Sequence, residues 1–156
     1  MQRLTESAKV VVTSPSAVDV GGSTAATAWT RVGGEFHRAL GFVELGAWNA
    51  ADTLDHFRIE AAEDDNGTNP EEVTSDGAGG DYDTATALNA DGDQGVIEVR
   101  DLDLPEGKPY VRLVIGADDD TGVDEAVGVL VLYDAIDQYE HRQGAASVTR
   151  VYVEPS

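Results

Sequence analysis

The chain has 156 residues, enough for one domain, and sets 30 Asp and Glu against 10 Lys and Arg for a formal net charge of −20. That excess repels phosphates and excludes nucleic acid as a partner, and the absence of cysteine excludes disulfides and thiolate metal centres. No apolar run approaches the ~20 residues of a membrane helix, so no membrane partner is expected, while 41% hydrophobic residues in clusters argue against disorder.

Residues 1–8 are polar and are expected to form an N-terminal arm without the apolar core of a secretion signal. Apolar residues then recur in steps of two, which predicts strands at 9–13, 26–32, 36–45 and 54–62. In the fourth, Phe57, Ile59 and Ala61 share one face and His56, Arg58 and Glu60 the other. Residues 63–93 are rich in Gly, Asp and Thr and read as a long polar loop or insertion. Strands resume at 96–102, 109–117, 126–133 and 148–153. Ile97 and Val99 oppose Glu98 and Arg100, while Val111, Leu113 and Ile115 oppose Arg112. The run 127–133 is apolar on both faces, which places it inside a sheet. Helical periodicity is confined to 135–142. The predicted fold is all-β: one antiparallel β-sandwich domain over 1–156, jelly-roll-like, with about eight strands.

The charge balance points to molar salt, where the Debye length falls to about 3 Å and crowded carboxylates barely sense one another. Only Lys9 and Lys108 carry ammonium groups, as suits a water-starved surface, and the expected setting is an extreme halophile or a virus that infects one. Asp collects between strands, where it favours turns, whereas Glu and Arg lie within strands. Arg58, Glu60, Glu98, Arg100, Tyr110, Arg112, Arg150 and Tyr152 therefore form a candidate oligomer interface, because Arg and Tyr are favoured there; a solvated outer face is the competing reading.

Two acidic turns are candidate cation sites. Asn89, Asp91 and Asp93 alternate like the first ligands of a calcium loop, but Gln94 stands where the turn glycine belongs and Arg100 where the distal Glu belongs. Asp118 and Asp120, followed by Thr121 and Gly122, form the second. Either could take Na⁺, K⁺, Mg²⁺ or Ca²⁺, with hydration of a halophilic surface as the alternative; no cofactor is required. No nucleophile elbow, zinc-protease helix or phosphate loop occurs, and His37, His56 and His141 are scattered, so no enzymatic activity is expected.

Several segments together resemble small structural proteins encoded beside the major capsid gene of tailed viruses, particularly those of haloarchaea. They are AVDV at 17–20, FVELGAW at 42–48, DTLDHFRIEA at 52–61, DLD at 101–103, YVRL at 110–113 and GVLV at 128–131. The likeness spans roughly 17–133 and does not extend into 134–156. It implies a jelly-roll virion component on the capsid surface, a decoration or turret subunit. Its partners would be the major capsid protein and further copies of itself, as trimers at threefold axes or pentamers at vertices. The alternative is a β-sandwich binding module for carbohydrate or a cell-surface receptor, with Trp29, Trp48 and Tyr82 as stacking platforms.

Overall fold

The period-two segments are strands in the computed structural model, which describes residues 8–12, 18–34, 36–73, 88–118, 122–133 and 151–154; in 8–12, Val18 and 151–154 the backbone alone is described. In chain order the strands are β1 (Ala8–Val12), β2 (Val18–Asp19), β3 (Ser23–Ala26), β4 (Thr30–Arg31), β5 (Arg38–Leu45) and β6 (His56–Ala62). They continue with β7 (Glu71–Glu72), β8 (Gln94–Arg100), β9 (Tyr110–Ala117), β10 (Glu125–Tyr133) and β11 (Val151–Glu154). Sheet A runs β1-β10-β5-β8-β11, with β2 also on β10; sheet B runs β3-β9-β6-β7, with β4 also on β9. Neighbouring strands are antiparallel throughout.

The pairing is nested. Taking β1 with β2, and β3 with β4, as single interrupted strands, the first pairs with β10 and the second with β9, while β5 pairs with β8 and β6 with β7. A long hairpin folded over into two layers gives this order, and it is that of a jelly roll. β11 is an addition on the free side of β8.

Alternation decides which residues meet between the layers. β5 and β10 bury every second residue along their whole length. Val43, Leu45, Ile97, Val99, Leu130 and Leu132 of sheet A thereby face Phe57, Ile59, Val111, Leu113 and Ile115 of sheet B, all essentially inaccessible to water. Two strand glycines keep the layers close. A Cβ on Gly41 would lie 2.8 Å from Leu113 Cδ1, and one on Gly95 would lie 2.7 Å from Phe57 Cε1 and 2.9 Å from Leu88 Cδ1. Gly95→Ala is therefore expected to cost about 1–3 kcal/mol by overpacking. Phe57→Ala is expected to cost about 3–5 kcal/mol, both read from denaturation midpoints in molar salt.

Some boundaries differ from the periodicity. The strand expected at 26–32 is interrupted at Thr27, whose Oγ1 accepts the Leu113 N–H and whose own N–H donates to the Leu113 carbonyl, both at 3.0 Å. The ladder is satisfied locally, and Trp29 leaves it before β4 begins. The strand expected at 96–102 ends at Arg100, because Asp101–Asp103 form a 3₁₀ turn closed by a bidentate Arg100–Asp103 pair at 2.9 Å. Leu102 consequently sits in solvent, 82% exposed. The two-residue strands β2 and β7 are too short to show a period, and β7 puts regular structure into the start of the 63–93 insertion. The helical candidate at 135–142 lies outside the described residues.

Candidate functional site

The residues expected to form one interface lie on opposite sides of the sandwich. Arg58 and Glu60 on β6 and Tyr110 and Arg112 on β9 point away from the core on sheet B, whereas Glu98 and Arg100 on β8 do so on sheet A. Arg150, like the Tyr152 side chain, lies outside the described residues. One continuous contact surface cannot contain both groups.

On sheet B, Arg58, Glu60 and Arg112 are committed to each other. Glu60 is 9% exposed; its Oε1 accepts from Arg58 Nε at 2.9 Å and its Oε2 from Arg112 Nε at 2.8 Å. Arg58 Nη1 donates to His56 Nδ1 at 2.9 Å, which leaves the proton of this ring on Nε2, 2.7 Å from Asp118 Oδ1. The Arg112 guanidinium stacks over Trp29 at 4.5 Å from the ring centroid. The indole edge is met by Gly67, where a Cβ would fall 2.3 Å from Trp29 Nε1 and where φ is +78°. This ladder belongs to the fold of the monomer. Arg112→Ala is expected to destabilise it by about 2 kcal/mol, from a lost charge-assisted pair and a lost stack, as chemical denaturation in molar salt would register.

Sheet A presents a different outer face. Between the charged residues at its two ends, Leu40 and Phe42 of β5, Val96 of β8, and Val127, Val129 and Val131 of β10 are partly exposed. Cross-strand register aligns Val129, Phe42 and Val96 in one apolar row across β10, β5 and β8, about 10 Å wide at ordinary strand spacing, and the backbones of β1 and β11 extend the pairing on either side. A second row holds Val131 and Leu40 and ends at Glu98. At one end of this face Arg38 Nη1 donates to Glu98 Oε1 at 2.7 Å, and the Tyr133 hydroxyl donates to the same oxygen. Burial and that carboxylate together push the Tyr133 phenol well above its ordinary range. Glu44, Gln94 and Glu125 stand at the other end, where Gln94 Nε2 donates to Glu44 Oε2 at 2.8 Å.

The loops at the Glu125 end of the sandwich are joined by carboxylates. Asp91 Oδ1 accepts the Trp48 N–H at 2.7 Å, and Asp93 Oδ2 accepts the N–H groups of Asn89 and Ala90 at 3.1 Å each. Asp124 is fully buried and Asp52 nearly so, and Asn49 donates to both: its N–H to Asp124 Oδ1 at 3.1 Å, its Nδ2 to Asp52 Oδ2 at 2.9 Å. Burial, opposed by the Asn49 N–H and reinforced by Asp52, raises the Asp124 carboxyl above the ordinary aspartate range.

Of the expected cation ligands, then, Asp91 and Asp93 brace the β5–β6 loop and the turn before β8, Asn89 takes part through its backbone, and Asp118 holds His56. Asp120 lies outside the described residues, among which no three His, Cys, Asp or Glu groups converge as a metal set. Trp48 is 8% exposed and gives its indole N–H to the Asp52 carbonyl at 3.0 Å, so it offers no sugar platform. One face of Trp29 is taken by Arg112, and Tyr82 is outside the described residues. No protein-family model, curated protein or solved structure matches this chain.

The apolar outer face of sheet A is what sequence reasoning missed as a site. Its signal was present in Val127, Val129 and Val131 of a strand apolar on both sides, and in Leu40 and Phe42, but such a run reads equally as a strand buried on both faces.

Proposed function

We propose that this chain is a non-enzymatic structural protein of a virion, a capsid-associated decoration or turret subunit on the head of a tailed virus of a halophile, working as a homo-oligomer bound to the major capsid protein. The observation that carries this reading is the outer face of sheet A. A chain with net charge −20 keeps two apolar rows on that face while tying Arg58, Glu60 and Arg112 of sheet B into an internal ladder. Apolar sheet faces rimmed by polar residues mark contact with other proteins. The jelly-roll order supports the reading at the level of architecture, since this fold builds many viral shells as well as lectins.

In this reading copies of the chain, or the chain and the shell, meet through sheet A. The carboxylate-rich loops stay in water and keep the outer surface hydrated in brine, and the chemistry is adhesion. The decisive experiment is to mix purified protein in about 3 M KCl, where its charges are screened, with particles of a tailed halophile virus stripped of accessory proteins, then pellet the particles. Saturable, stoichiometric recovery with the heads is the expected result. Absence of binding together with a strictly monomeric protein would refute the proposal, and specific retention on a glycan array would move the assignment to a lectin-like module.

A further inference from the structure

The β5–β6 loop is docked by acids. Asn49 at its centre reaches Asp124 through its backbone N–H and Asp52 through its side-chain amide, and both carboxyl groups are removed from solvent. Asp124 Oδ2 is buried and has no hydrogen-bond partner among the described residues. The charged groups on the surrounding elements add more negative charge: Asp19 from β2, Asp55 from the same loop, Asp91 and Asp93 from the turn before β8, and Glu125 from β10. His56 at the start of β6 is committed to Asp118 and Arg58. An orphaned carboxylate oxygen beside a second carboxylate in a dry, acidic environment is unstable unless something positive lies between them. A metal ion would need several oxygen ligands, and no third acidic or imidazole group converges there among the described residues. A proton needs no room.

We propose that Asp52 and Asp124 share one proton in a carboxylic acid–carboxylate hydrogen bond that latches the β5–β6 loop to the loop before β10, and that rising pH opens this latch. Closing it places the proton on Asp124 Oδ2, which becomes the donor its environment lacks, with Asp52 as acceptor. Opening it releases that proton to solvent and leaves two facing negative charges. The sign follows from burial. Asp124 holds its proton more tightly in the folded than in the unfolded chain, so the latch contributes fully below the ordinary aspartate range and is lost as pH climbs through the raised value.

The test uses the whole protein in about 3 M KCl, where surface charges are screened and the buried pair is not. The Asp124 Cγ resonance and the hydrogen-exchange protection factor of the Asn49 amide are followed over a pH series. Asp124 is expected to titrate above the ordinary aspartate range, and Asn49 protection to fall at least tenfold across the same step. In Asp124→Asn, whose amide can donate to Asp52 without titrating, both changes should vanish while protection stays high. Asp52→Asn should return Asp124 toward the ordinary range, a second reading if the first variant folds poorly. Titration of Asp124 at the ordinary value, or Asn49 protection indifferent to pH in the unmodified protein, would overturn the latch. Recovery of high-pH protection on adding Ca²⁺ or Mg²⁺ alone would also overturn it, by making the site one for a cation.

Discussion

Dilution from about 3 M to about 0.1 M KCl is expected to dissociate the proposed homo-oligomer and then unfold the chain, because the Debye length grows from under 3 Å to about 10 Å. The carboxylates are crowded where the sandwich has least counter-charge. At the end formed by the β2–β3, β5–β6 and β9–β10 loops and the turn before β8, the carboxylates of Asp19, Asp55, Asp91, Asp118 and Glu125 reach solvent, outside the buried Asp52, Asp93 and Asp124. Two like charges about 8 Å apart in water repel by about 0.5 kcal/mol when unscreened. Several such pairs amount to a few kcal/mol, a large part of the 5–15 kcal/mol that typically separates folded from unfolded domains. Circular dichroism and sizing across a KCl series would follow the loss, with oligomer size changing before the far-ultraviolet spectrum. Full retention of both in dilute buffer would show that the acids serve something other than life in brine.

Phe42→Glu is expected to weaken the proposed self-association through sheet A by about a hundredfold in molar salt while leaving the monomer folded. Phe42 stands in the middle of the apolar row on sheet A, between Val129 and Val96, and is partly exposed in the single chain. Its side chain contributes nothing to the inter-sheet core, so a carboxylate there is solvated in the monomer. In an assembled particle the same carboxylate would be trapped against apolar side chains without a partner, and that penalty falls on the complex alone. Sedimentation equilibrium would measure the dissociation constant, with Thr24→Glu on the exposed outer side of sheet B as a control that should leave it unchanged. An unaltered constant for Phe42→Glu would remove sheet A as the contact face. The opposite pattern, in which only changes on sheet B disperse the oligomer, would return the interface to Arg58, Glu60 and Arg112.

That contrast between the two sheets shows where sequence reading stops. Alternation identifies Arg58, Glu60, Glu98, Arg100 and Arg112 as pointing away from the core, and in the fold all of them do. A sandwich, however, has two outer faces, and a period of two says nothing about which sheet a strand joins. β6 and β9 pair in one layer and β5 and β8 in the other because the nested hairpin folds over between β5 and β6. Arg112 and Glu60, 52 residues apart in sequence, become neighbours through that pairing alone.

The acidic turns teach a related lesson. Asp91 and Asp93 have the spacing of a cation loop, yet their carboxylates take backbone N–H groups of Trp48, Asn89 and Ala90. Donors from the same turn are adjacent in the chain, but the Trp48 N–H arrives from 43 residues away. Short-range spacing registers the acids and not what reaches them.

What the chain determined by itself is the all-β class, the long strands β5, β6, β8, β9 and β10 with their inward residues, and the shortage of counter-charge, because each follows from local alternation, turn chemistry and simple counting. The jelly-roll order, the split of the Arg and Glu residues between opposite faces, the apolar outer face of sheet A and the meeting of Asp52 with Asp124 were decided by the tertiary structure. They depend on contacts between residues far apart in the sequence. Such contacts are selected by how two twisted layers close over one shared core, and no window of neighbouring residues carries that information.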